Sequence, residues 1–305
     1  MPPKPPNPDD LPPGWTEHAA EADGPAERSG DFLRDASRGP RLQKVLAAAG
    51  VASRRACEAL VEEGAVRVNG HAVTSLPAWV DPSKDRITVN GRRIRTGAPT
   101  VCVMLFKPRG VICTSSDPEE RKSALDLVQH PSKVRLFAVG RLDMDSSGLL
   151  LLTNDGEFSN LLSHPSHHVR RIYDVTVTGQ VEPATIRRLE RGINLPDVHT
   201  GRTRPARFES VKVVRAQRDR TKLRVTLTEG RNRQIRRMML MLGHPVRKLR
   251  RVAIGPLKLA DLRPGQWRDL TTREIAALTA EAHRPRKKRQ RPPKRTKPRP
   301  PEAPA

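Results

Sequence analysis

Apolar residues repeat along this chain at two periods, and the changes between them mark out its elements. Leu42, Val45, Leu46 and Ala49 fall three or four apart, one face of a helix, and Gly50 stops the run. Ser53 is a capping residue ahead of a second helix through Glu63. Cys57, Leu60 and Val61 form its apolar side, and Gly64 lies just past its end. The period then becomes two: Val66 and Val68, the pair Asn69-Gly70, then Ala72-Val73. Asn-Gly between alternating segments predicts a hairpin, because its tight turn needs positive φ at both positions. Ile87 to Val89 and Asn90-Gly91 repeat the pattern, so residues 41–97 read as a small module closed by the linker 96–99. Residues 101–106 predict a buried strand, stopped by Lys107-Pro108-Arg109-Gly110. A second short strand at 111–114 and a short helix at 125–128 follow.

Residues 137–139 and Leu149 to Leu152 flank a charged loop. Four consecutive leucines predict a strand buried on both faces, ended by Asn154-Asp155-Gly156. A helix runs from Glu157 to Ser163, with His164-Pro165 at its end. Residues 170–177 alternate as a strand, and 183–191 form a helix with Ile186 and Leu189 inward. Residues 202–207 read as a basic loop, and 208–214 with 223–227 as a strand pair. After Gly230 a last helix carries Ile235, Met238, Met239 and Leu242 on one stripe, up to Gly243. Arg236 borders that stripe, while Arg233 and Arg237 face outward.

The loop Gly140-Arg141-Leu142-Asp143-Met144-Asp145-Ser146-Ser147-Gly148 places two carboxylates at the edge of the core. A carboxylate there is costly unless it is paired or exposed for use. The plain alternative is an Asx-type turn that only shapes the loop. Asp145, Ser146 and Gly148 already serve the turn, which leaves Asp143 over.

The string from Gly140 to Gly156 resembles the signature of the RsuA/RluB family of ribosomal RNA pseudouridine synthases, with Ser146 at the family's Thr/Ser position. The resemblance implies that Asp143 is the catalytic aspartate. Arg171-Ile172-Tyr173 fits the family's pattern of a basic residue, a variable one and Tyr. Taken alone, Tyr173 is a core aromatic on a strand; the family places it against the target base. Residues 228–238 resemble the family's Glu-Gly-Arg-Asn-Arg-Gln-Ile-Arg-Arg-Met motif, from which a basic residue pairs with the aspartate. Arg236 is the expected partner and Arg231 the second choice. Arg141, Arg171, Arg231, Arg233 and Arg237 are expected to meet RNA. Arg41 to Leu46, Ser53 to Ala56 and Val68-Asn69-Gly70 resemble the small RNA-binding module named after a small-subunit ribosomal protein. There Arg41, Lys44, Arg54 and Arg55 stand at helix starts, where free amides also favour phosphate. A merely solvated basic face is the alternative.

Charge agrees with an RNA partner. The formal net charge is +24. Residues 1–40, Pro-rich and acidic, contribute −4, and the Pro-rich tail 284–305 contributes +9. The remaining +19 belongs to residues 41–283, which makes a polyanion the expected ligand of the body itself. Both ends lack any period and read as disordered. No stretch approaches the ~18 apolar residues of a membrane span, and no basic-then-apolar leader is present. Cys57, Cys102 and Cys113 fit neither a disulfide framework nor a zinc site. His164, His167 and His168 lack further ligands at metal spacing and read as a turn.

The expectation is therefore an α+β chain, its catalytic domain a mixed, mostly antiparallel sheet with flanking helices. The expected units are a disordered arm (1–40), a small α/β RNA-binding module (41–97), a catalytic domain (98–283) and a disordered basic tail (284–305). The expected function is isomerisation of uridine to pseudouridine in ribosomal RNA, by an aspartate, with no cofactor and no metal. The Glu-Gly-Arg-Asn-Arg-Gln string leans to the large subunit; a small-subunit target and a non-catalytic ribosome-assembly protein are the alternatives. A cytoplasmic monomer acting on free RNA or an assembly intermediate completes the reading.

Overall fold

A computed structural model describes residues 31–284 except 98, 115, 116, 118 and 199. The expected arm up to residue 30 and the tail from 285 lie outside the described residues.

The first module is built on α1 (Leu42–Ala48) and α2 (Arg54–Glu62) beside a four-stranded sheet. The Ser53 side chain accepts from the Ala56 amide and caps α2 as expected. The strands β1 (Val66–Val68), β2 (His71–Val73), β3 (Ile87–Val89) and β4 (Arg92–Arg93) lie in the order β2-β1-β3-β4. Order starts earlier than the hydrophobic period suggests. Short 3-10 turns occupy Asp31–Arg34 and Ala36–Arg38. Leu33 is buried in this core, and Arg38 pairs with Asp85 at 2.8 Å. Leu33, the Arg38–Asp85 pair and the hydrogen bond from the Trp79 amide to the Leu33 carbonyl help to hold this segment, and none of them has a period to detect.

The second sheet comprises β5 (Cys102–Lys107), β6 (Phe137–Val139), β7 (Ser147–Thr153), β8 (Arg171–Thr178), β11 (Ser210–Ala216), β12 (Arg220–Leu227), β13 (Val246–Ile254), β14 (Leu257–Lys258) and β15 (Trp267–Asp269). Its main path is β11-β12-β8-β13-β7-β5-β15, with β6 on β7 and β14 on β13. Among the described residues only β7 with β13 is parallel in this sheet. The leucine run is β7. Leu150 and Leu152 point to one face with Val103, Val175 and Met238. Leu149 and Leu151 point to the other, with Met104, Phe158 and Leu278. Continuous hydrophobicity thus records a strand covered on both sides. Helices α4 (Pro183–Arg191) and α5 (Gln234–Met241) cover the first face; α3 (Gly156–Ser163) and α6 (Thr272–His283) cover the second.

Several expectations fail locally. Residues 111–114 make only an isolated bridge, Ile112 to Ser123, and 125–128 form turns. The basic loop at 202–207 contains strand β10 (Thr203–Ala206), paired with β9 (Ile193–Pro196). Strand β13 and helix α6, which carries a capping box between Thr271 and Glu274, were not foreseen.

Gly148 sets how close β7 and β13 can come. Its φ is +114°, and a Cβ there would lie 2.2 Å from the Arg251 carbonyl oxygen. Gly148→Ala is expected to destabilise the protein by at least about 2 kcal/mol in chemical denaturation, since backbone must move to admit the methyl. Gly156→Ala, at a site with nothing within 4 Å of the added carbon, is the control, expected neutral or stabilising by up to about 1 kcal/mol.

Candidate active site

The loop between β6 and β7 is held from beneath. Lys107, the last residue of β5, is fully buried, and its Nζ donates to the carbonyls of Pro108 and Ser146, each at 2.9 Å. Burial pushes its pKa down, while the Cys113 thiol and the carboxylates of Asp143 and Asp145 act against that shift. The Gly110 amide donates to the Met144 carbonyl, and the Ser146 amide to that of Asp143, closing the turn. The backbone around Asp143 is therefore fixed before any substrate arrives.

Asp145 is the centre of the charge network. Arg233 reaches it through Nη2 at 3.0 Å and Nη1 at 3.3 Å. Arg236 places Nε 3.2 Å from the same carboxylate and donates through Nη2 to the Asp145 carbonyl at 3.1 Å. The Nε contact is electrostatic, because its alignment fails as a hydrogen bond. Burial disfavours the Asp145 charge, but Arg233 and Arg236 outweigh it and hold its carboxyl below the ordinary range. Asp143, with its side chain 30% exposed, meets Arg233 Nη1 at 3.4 Å. This changes the expected pairing: Arg233, read as outward-facing, reaches Asp143, while Arg236 is bound to Asp145. The cause is local. Arg233 caps α5 in the left-handed region, with φ of 47°, which turns its side chain back over the loop. Helical periodicity says nothing about a residue one step before the helix.

Asp143 lines a cavity of about 270 Å³ that Arg141, Arg171, Tyr173 and Arg251 also line. Tyr173 is buried on β8, opposite Arg251 of β13. Arg171, two residues earlier on β8, donates through Nη2 to the Leu162 carbonyl at 2.9 Å. Burial lowers its pKa, the Tyr173 phenol opposes that, and the positive charge of Arg251 adds to it. Arg251 is 2% exposed, and its Nε donates to the Leu149 carbonyl at 2.7 Å. The sequence reading missed Arg251 because it missed β13.

The remaining predicted residues separate into two groups. Arg141 is exposed beside Asp143, and Arg41, Lys44, Arg54 and Arg55 are exposed on the first module. The Arg41 guanidinium lies 5.9 Å from the Trp79 ring centre. By contrast, Arg231 donates to the carbonyls of Arg204 and Pro205, and Arg237 to that of Pro196. Both tie α5 to the β9–β10 hairpin.

The family model for RNA pseudouridylate synthase matches residues 101–241, and the S4 domain model matches residues 40–76. A ribosomal large subunit pseudouridine synthase B of Bacillus subtilis is 44% identical over 242 residues, covering 79% of this chain and 96% of that protein. The chain belongs to the RNA pseudouridylate synthase family. The synthase B of Shigella flexneri is 41% identical over 236 residues, covering 75% of this chain and 79% of that one. A crystal structure of a pseudouridylate synthase superposes with a TM-score of 0.55 at 30% identity, covering 78% of this chain and 99% of that chain. The family expected from the Gly140–Gly156 string is thus the one found, and the chain is a pseudouridine synthase with an S4 module ahead of it.

Because the folded pKa of Asp145 is depressed, its charge stabilises the fold above the unfolded carboxyl value of about 3.9. That contribution disappears as pH falls through the lower folded value. Asp145→Asn is expected to cost no more than about 1 kcal/mol at neutral pH, the range of a partly exposed pair. The difference from wild type should close below pH ~4. Paired denaturation curves across pH 2–7 check this; a constant difference would mean that the cost is steric.

Proposed function

We propose that this synthase acts on large-subunit ribosomal RNA and that Asp143 carries the chemistry. The observation behind this reading is the placement of Asp143. Its carboxylate, ion-paired to Arg233, stands on the wall of a cavity that Tyr173 also lines. A nearby cation favours the anionic form that a nucleophile or base requires. Tyr173 supplies an aromatic surface for a uridine taken out of its stack. The substrate assignment rests on the two relatives named for the large subunit and on the S4 module with its exposed Arg41, Lys44, Arg54 and Arg55.

The isomerisation breaks the bond from ribose C1′ to N1 and forms one from C1′ to C5. The C5 proton leaves and N1 gains one, so atoms and electrons balance within the nucleotide and water. Asp143 is placed to act on the base or the ribose at the start. Arg236 contributes by fixing Asp145 and so the loop that presents Asp143; it is a positioning residue in this reading.

Asp143→Asn is expected to abolish tritium release from large-subunit RNA labelled at uridine C5. RNA affinity should be retained and stability should stay within about 0.5 kcal/mol of wild type. Residual turnover would remove Asp143 from its role, and release from small-subunit RNA alone would overturn the substrate. Replacing both Arg54 and Arg55 with Ala should reduce the slope of log affinity against log salt by roughly one to two. The single-turnover rate at saturating RNA should be unchanged; a collapse of that rate would make the first module part of the active site.

A further inference from the structure

Arg171 and Arg251 form an unusual pair. Both line the cavity of Asp143, on the sheet face that carries Tyr173. Residues 171 and 173 share a side of β8 by the strand's alternation, and Arg251 is paired across from Tyr173. Each guanidinium is anchored by a backbone carbonyl, that of Leu162 or of Leu149. Among the described residues neither has a carboxylate within ion-pairing distance, in contrast to Arg233 and Arg236. The Arg251 Nη2 is buried and has no hydrogen-bond partner at all. Leaving a charged donor unpaired in a core is costly, and placing two like charges there adds to that cost. Such an arrangement is an anion site in waiting.

We propose that Arg171 and Arg251 seat the uracil ring as an anion while it is detached from the ribose. This rests on the reading that the cavity receives the target uridine. When the C1′–N1 bond breaks, its electron pair leaves with the ring, and the negative charge spreads over N1, O2 and O4. That charge ends when C5 bonds to C1′, loses its proton and N1 is protonated. The anion exists only between the two bond events. Cations lining its cavity therefore bind the reacting state more tightly than uridine, which is what lowers a barrier. A backbone phosphate is the other anion in reach. Burial argues against it: Arg251 is 2% exposed and lines a cavity of about 270 Å³, whereas a phosphodiester must leave room for the strand on both sides.

The test uses the full chain in single turnover at saturating RNA. Arg251→Gln is expected to slow uridine conversion by about 10²- to 10³-fold, the effect of removing one donor to a developing anion, with RNA affinity nearly unchanged. Replacing the target by 5-fluorouridine, followed by nuclease digestion and chromatography, supplies the signature. Fluorine stabilises the ring anion, so the loss caused by Arg251→Gln should shrink on that substrate; C5 has no proton to lose there, so conversion is read as the C5-linked product that keeps its fluorine. Arg251→Lys, which keeps the charge, should recover part of the rate. If Arg251→Gln does not fold, Arg251→Lys and the half-buried Arg171→Gln must show the same dependence on fluorine. Equal losses on both substrates would overturn the proposal. So would weakened binding with an unchanged saturating rate, or a neutral methylphosphonate at the target's 5′ linkage that reproduces the loss in wild type and adds nothing in the variant. Those results would place a phosphate on the pair. Wild type without tritium release would take down the underlying reading and this proposal together, an outcome distinct from failure confined to the variants.

Discussion

The site depends on the contact between β7 and β13 at Gly148. It is the only parallel pairing in the large sheet among the described residues, and it spans just two register positions, Arg250 with Ser147 and Arg251 with Gly148. On one side stand β5, β6 and β15, which hold the Asp143 loop; on the other stand β8, β11 and β12, which hold Tyr173 and Arg171. Both walls of the cavity therefore meet across a seam two residues long. A residue without a side chain is needed there, because the Arg251 backbone occupies the space where a Cβ would sit.

Around that seam, buried charge fixes the loop that carries Asp143, beside the packing of Leu142 in the core. A buried ammonium from Lys107 holds the Ser146 carbonyl, and two guanidiniums from the start of α5 hold Asp145. Asp143 shares only the outer edge of this network. One carboxylate is thus held loosely while its neighbour two residues on is bound from two sides. Asp145 takes the tight geometry, and Asp143 takes a longer, weaker pair.

Much of this was legible in the chain because the relevant signals are local. The leucine run of β7, the alternation of β8, the Asn-Gly hairpin and the Ser53 cap each depend on a few neighbouring residues. What escaped depends on partners distant in sequence. In β13 the apolar alternation is broken by two register shifts and by Arg247, Lys248, Arg250 and Arg251, so its central position in the sheet is invisible to periodicity. Strand β10 looked like a basic loop because its pairing with β9, and not its own composition, makes it a strand. Arg233, in neither the first nor the second place as the partner of Asp143, precedes its helix in the left-handed region, which no spacing rule reports.

The arginines between residues 231 and 237 bear on how the chain's +24 charge should be understood. Arg231 and Arg237 direct N–H groups to carbonyls of the β9–β10 hairpin, and Arg236 directs two to the chain itself. Such groups still add to the long-range field that draws RNA in. They cannot offer the same hydrogens to a phosphate without releasing the elements they fasten. The total charge thus bears on the speed of encounter, whereas the number of phosphates held in the complex is set by the smaller set of arginines and lysines whose heads remain in solvent.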